Sequence, residues 1–250
     1  MTPADGEDLP VPAVASGGRP RTACEPLEDA VRVDPAASYA CAAAAPPVDE
    51  AERAVLSAQL GRPARGEPAV VHRCGFGLPT VARVQARLED GTPFPTVFWL
   101  TCPVLRSRVG RLEADHAMVG LNARLGEEPD LAAGYAAASE RYVAFRDGLG
   151  GPLPGNPSAG GMPGYIKCLH VHAAHHLATG DNPVGEWVIA HATPAPCAGP
   201  CVPEELLEGV DGVEGVAGVD GVEGVDGVEG VVPDDADDGA QGVEGADGTR

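Results

Sequence analysis

Between Ile166 and Gly180 the chain reads IKCLHVHAAHHLATG, which places Cys168, His170, His172, His175 and His176 within nine residues, beside the only lysine, Lys167. Thiolate and imidazole are the donors of zinc sites and, with more thiolates, of iron-sulfur clusters. On a helix turning about 100° per residue, His175 falls about 20° from Cys168, with His172 and His176 on the same side. His170 falls about 200° away, among Ile166, Leu169, Ala173 and Leu177. Two further thiols stand at strand ends: Cys74 before a Gly-Phe-Gly turn and Cys102 in LTCPVL. Cys74, Cys102, Cys168 and His175 are therefore the expected ligand set for zinc or an iron-sulfur cluster, with His172 as the alternative imidazole. No local CxxC pair supports the set.

The same residues allow two other readings. Cys168, or a metal-bound water, could act as nucleophile with His170 or His172 as acid and base. Cys102 at a helix N-terminus would feel a field that favours its thiolate. Alternatively, the cysteines and histidines are core residues without a ligand. Cys197 and Cys201, in PCAGPC, lie past the last expected helix and read as incidental thiols able to chelate or bridge. Sequence motifs for phosphate loops, dinucleotide folds, zinc proteases and nucleophile elbows are absent.

Positioning these groups requires ordered elements. A helix is expected over Val48 to Leu60, capped by Asp49 and stopped by Gly61 and Pro63. Strands are expected at Val70 to Arg73, in the alternating TVARVQARL, and at Phe94 to Thr101, the last reading as the most buried. Pro103 opens a helix that puts Cys102 at its cap. Met118 to Leu125, Pro129 to Leu149, Pro163 to Ala178 and Pro183 to His191 complete the helices, with a glycine-proline loop over Gly150 to Gly161. The expected fold is α+β: a small antiparallel three-stranded sheet with about five helices.

The chain has 250 residues and a formal charge of −20. Residues 202–250 hold 15 acids against one base, so most of that charge lies in the tail. From Asp49 to His191, 13 basic residues face 15 acidic ones. That balance lacks the cationic excess phosphate contacts need, which excludes nucleic acid as an expected partner. No apolar run approaches the ~20 residues of a membrane span, and MTPADGEDLPVPAV has no signal-peptide pattern, so membrane insertion is not expected and a cytoplasmic location is. Residues 1–46 read as a disordered Pro/Ala/Gly head, 47–192 as one domain, and 193–250 as a disordered acidic tail with a Gly-Val-Asp/Glu repeat.

RCGFGLP at 73–79, DGTPFPTVFWLTCP at 90–103 and KCLHVHAAH at 167–175 together resemble the bacterial, actinobacterial-type domain-of-unknown-function family numbered 501. The resemblance spans about residues 48–191. It implies that Cys74, Cys102, Cys168, His170 and His175 belong to the family pattern, which makes His170 a further alternative imidazole for the ligand set, and it implies no activity. Family genes often lie near a cell-division coiled-coil protein and an exopolyphosphatase, an association that points to a protein partner. The leading expectation is a cytoplasmic Cys/His metal-binding domain whose site mainly holds the fold. The other two are a thiol- or metal-dependent enzyme and a metal-free interaction module linked to cell division.

Overall fold

A computed structural model of the chain describes residues 34–193 and 197–207. Its elements are α1 (Pro35–Ala44), α2 (Glu50–Leu60), β1 (Ala69–Arg73), β2 (Pro79–Arg83), β3 (Phe98–Leu100), α3 (Pro103–Ala114), α4 (Ala117–Glu127), α5 (Pro129–Gly150), α6 (Leu169–Thr179) and α7 (Pro183–Ala192). A 3-10 turn follows at Glu204–Leu206. The strands form one antiparallel sheet in the order β1-β2-β3, with Val70 opposite Ala82 and Ala82 opposite Trp99. The expected α+β class with a three-stranded antiparallel sheet is what the chain adopts, with seven α-helices among the described residues.

Three expectations need correction. The head is not without structure up to residue 46. Asp34 accepts the Ala36 N–H, Pro35 occupies the first helical turn, and α1 sends Tyr39 and Ala42 into the core. Residues 1–33 lie outside the described residues. On the C-terminal side, order continues past residue 192: Val202, Leu206 and Leu207 pack with Val55 and Leu78. The repeat tail, from residue 208 onward, lies outside the described residues. The most buried strand is β2, buried at all five positions, whereas β3 is an edge strand shortened at its start. Pro95 has no N–H for a ladder, so Phe94 to Val97 pass the sheet through single bonds such as Val84 N–H to Val97 O.

Helix α6 lies at the centre, against α7, β3, α1 and α3. Its crossing with α7 is closest at Gly185, where a Cβ would stand 2.0 Å from the His172 carbonyl oxygen and 2.6 Å from His176 Cβ. Only a residue without a side chain fits there.

Burying α6 buries its imidazoles, because His172 and His175 are both fully enclosed. Their hydrogen bonds have a fixed direction. Asn182 caps α7 through Oδ1, which accepts the Gly185 N–H, so its amide nitrogen is the donor to its other neighbours. Those neighbours are His172 Nδ1 at 3.2 Å and His175 Nδ1 at 3.0 Å. Both Nδ1 atoms accept, so both rings carry hydrogen on Nε2. His175 Nε2–H then donates to the Tyr39 hydroxyl, and His172 Nε2–H is directed at the Tyr135 hydroxyl. Tyr39 in turn neighbours Asp181, which Arg141 holds through two bonds of 2.6 and 2.7 Å. Each buried polar atom along this chain has a partner.

Burial, and then the charges of His172 and His176, hold His175 well below the ordinary histidine value. Burial and His176 push His72 down to about 4.

Two outcomes follow. Gly185→Ala should destabilise the fold by more than about 2 kcal/mol, since backbone must move, while Gly120→Ala, on an open face of α4, should stabilise it by about 0.5 kcal/mol. Urea melts of the two variants check both signs. Second, His72, His172 and His175 are neutral when folded but take up protons when unfolded below pH ~6.5, so their contribution is complete above that pH and falls as pH drops toward about 4, whereas His170, held up at about 10, contributes fully below ~6.5 and less as pH rises above it. Each contributes a slope of up to about 1.4 kcal/mol per pH unit. Urea denaturation at about pH 6.5, 5.7 and 5, where His170 is protonated folded and largely so unfolded, should show the decline ahead of most carboxylate titration; a flat profile over that range would contradict neutral burial.

Candidate metal centre

Helix α6 begins at Leu169, not at Pro163. The backbone before it spends its hydrogen bonds sideways. Lys167 N–H bonds Gly160 O at 2.8 Å, and the Asn122 side chain brackets Ile166, accepting its N–H at 2.9 Å and donating to its carbonyl at 3.0 Å. Cys168 is thus the residue before the first turn, with extended backbone (φ −145°, ψ 116°). A side chain on extended backbone does not follow the helical projection, so the shared face expected for Cys168 and His175 does not form.

The thiol instead meets His170 and Glu113. The Glu113 carboxylate, from the last turn of α3, accepts the Leu169 N–H at 2.6 Å and so caps α6 from a neighbouring helix, where the helix dipole favours negative charge. The same oxygen lies 3.2 Å from His170 Nδ1, and Cys168 Sγ lies 3.9 Å from that nitrogen. On its other side, His170 Nε2 is 3.1 Å from the Arg106 carbonyl oxygen. A carbonyl and an ionised carboxylate both only accept, so both ring nitrogens carry hydrogen as the group stands, and loss of the Nδ1 proton would turn that lone pair toward the thiol and the carboxylate.

Glu113, Cys168 and His170 each offer a ligand atom within 4.8 Å of the other two, the one such group of three or more His, Cys, Asp and Glu among the described residues. All three are partly exposed, with about 30% of the His170 and 24% of the Glu113 side chain open to water. Electrostatics bind the group together. Burial opposes charging of His170, but hydrogen bonds from Cys168 and Glu113 outweigh it and raise the ring to about 10. Burial likewise raises Glu113, and the bond to His170 more than reverses this, leaving the carboxyl below its usual value. With no cation between them, the three groups share a proton. A cation that binds carboxylate, thiolate and imidazole would take that proton's place.

The other expected ligands lie elsewhere. His175 is the Tyr39 and Asn182 partner and His172 the Asn182 and Tyr135 partner, so both ring nitrogens of each are engaged. Cys102 occupies the cap position of α3, as expected from Pro103, with Cys201 as its neighbour, and Cys74 lies near Cys102 and Cys197. The structure therefore divides the four-ligand set: Cys168 joins His170, while Cys74 and Cys102 turn toward the C-terminal cysteines. Glu113 gave no sequence signal. It is one of many acids on helices, and only the α3–α6 contact brings it to the site.

No helix among the described residues is long and apolar enough to cross a membrane. No curated protein and no solved structure matches the chain. The likeness read from the three motifs is borne out: RCGFGLP, DGTPFPTVFWLTCP and KCLHVHAAH all fall within residues 70–190, which match the model of the family described as a protein of unknown function, DUF501.

Proposed function

We propose that this is a metal-binding domain in which Glu113, Cys168 and His170 hold one divalent ion of the zinc class. The observation that carries the reading is the two-sided fixing of His170: Nε2 is tied to the Arg106 carbonyl while Nδ1 faces Cys168 and Glu113. A metal-ligating histidine characteristically donates its second ring N–H to a carbonyl or carboxylate, which sets the tautomer and the ring plane. The donor set is mixed sulfur, nitrogen and oxygen, which zinc accepts; an iron-sulfur cluster needs several thiolates, and this group offers one.

Three protein donors at a partly exposed site would leave a zinc-class ion open to water or substrate, the pattern of reactive zinc rather than of closed structural zinc. That favours metal-dependent chemistry over a purely structural role. Simple thiol catalysis fits less well. A thiol-imidazole-carboxylate relay needs the thiol and the carboxylate on opposite ring nitrogens, whereas here both face Nδ1 and Nε2 is occupied by Arg106. An ion held by Glu113, Cys168 and His170 would supply Lewis acidity to a bound water, and His170, as a ligand, would not be free to act as its base.

Protein loaded with zinc and desalted should retain about one equivalent with the three residues intact, and Cys168→Ser, His170→Ala and Glu113→Gln should each weaken binding by about a hundred-fold or more, beyond what loss of an outer-shell partner costs. Cobalt substitution gives a separate reading: a sulfur-to-cobalt charge-transfer band should vanish in Cys168→Ser and persist in a Cys102→Ser/Cys201→Ser double variant. A band that survives Cys168→Ser would reject the assignment.

A further inference from the structure

We propose that Cys201 and Cys102 form a peroxide-oxidised thiol pair, with Cys201 the attacking sulfur and Cys102 the resolving one. The two come from distant parts of the chain. Cys102 is buried at the cap of α3, between β3 and the helix, in the main core. Cys201 is only half-buried, on the segment 197–207, and packs against both that core and the small cluster around Val55, Leu78 and Val202. The two belong to one core cluster, and each is the first influence on the other's protonation.

The surroundings distinguish the two sulfurs. Gln59, buried on α2, points its amide nitrogen at Cys201 Sγ at 3.3 Å, and the same nitrogen is 2.9 Å from the Pro79 carbonyl oxygen. A Cys201 thiolate thus has the Gln59 amide as donor, with the Cys102 thiol as its neighbour. The Cys102 thiol first, and Gln59 against burial, hold Cys201 near 7, while Cys201 and then burial push Cys102 up. A partly exposed thiolate supported by donors is the reactive kind of cysteine, and a protonated, buried neighbour is suited to resolve it. Cys74 and Cys197 also border the pair, and burial keeps the Cys74 thiol protonated.

The chemistry balances with a hydroperoxide as oxidant. The Cys201 thiolate attacks the distal peroxide oxygen; the O–O bond breaks, an S–O bond forms, and with hydrogen peroxide one water leaves once the released hydroxide is protonated. The Cys102 sulfur then attacks the Cys201 sulfenic sulfur, the S–O bond breaks, an S–S bond forms and a second water leaves with the Cys102 proton. Two thiols and one hydrogen peroxide give one disulfide and two waters, the pair losing two electrons. The product ties the segment that leads into the acidic repeat to the start of α3. This pair shares no residue with the Glu113, Cys168 and His170 group, so its fate is independent of the metal reading.

The test uses the reduced full chain. Iodoacetamide at pH 7.5 should alkylate Cys201 about ten-fold faster than Cys102, as expected of a half-exposed thiolate against a buried thiol. Hydrogen peroxide, followed by alkylation and non-reducing tandem mass spectrometry, should give a Cys102–Cys201 link. Cys102→Ser should accumulate dimedone-reactive sulfenic acid on Cys201, and Cys201→Ser should leave Cys102 unmodified. Peroxide leaving both thiols free, linking other cysteines in preference, or oxidising Cys102 in Cys201→Ser would each overturn the proposal. The alkylation ratio is read on the parent chain and does not depend on the variants folding; equal rates would overturn it too.

Discussion

One amide holds the centre of this protein. Helix α6 is most polar where it is most buried, and two imidazoles without solvent each need a donor for the ring nitrogen that faces α7. Asn182 supplies both from its one NH2 group, and it can do so only because its oxygen is committed to the Gly185 N–H at the start of α7. An unsatisfied buried nitrogen would cost about 1–3 kcal/mol, so two of them would consume a large part of a domain's net stability. Rotation of α6, a shift of α7 or a side chain at Gly185 would each break the arrangement. The same constraint reaches α1 through Tyr39 and α5 through Tyr135 and Arg141, which is why the N-terminal helix belongs to the core.

The candidate site depends on this anchoring. With α6 fixed by its middle and its C-terminal turn, its first residues project toward α3 at one height. Cys168 precedes the helix, His170 lies within its first turn, and Glu113 caps it from α3. The carboxylate serves as a helix cap and as a donor toward the imidazole, so the helix terminus and the site form together. The Arg106 carbonyl contributes a further fixed acceptor one or two turns earlier on α3, which orients the ring without a side chain of its own. Precision here comes from backbone groups of packed helices, the kind of support that keeps a ligand in one rotamer.

Much of the fold was legible in the sequence. Asp49, Gly61, Pro103, Pro129 and Pro183 mark helix ends that the structure keeps, because capping and proline geometry are local. Strand extent was less legible: alternation in TVARVQARL continues past Arg83, where the regular strand ends and pairing goes on only through single bonds and the Arg87–Pro93 bridge, and Pro95 trims the next strand. The site was half legible. Cys168 and His170 stood out as residue types, but the helical projection paired Cys168 with His175, since nothing local announces that Gly160 and Asn122 capture the backbone of residues 166–167 and delay the helix. Glu113, Gln59 and Asn182 act through contacts between elements distant in sequence, and no spacing rule reaches them. Cys201 read as incidental because its partner, Cys102, stands about a hundred positions away.

The direct test of the Glu113, Cys168 and His170 assignment is an anomalous difference map, collected on either side of the zinc absorption edge from crystals of the zinc-loaded chain. An ion held by these residues gives one dominant peak bonded at about 2.3 Å to Cys168 Sγ and at about 2.0–2.2 Å to His170 Nδ1 and a Glu113 oxygen. A peak among Cys74, Cys102, Cys197 and Cys201 instead, or zinc scattering at none of these places in fully loaded protein, would contradict it.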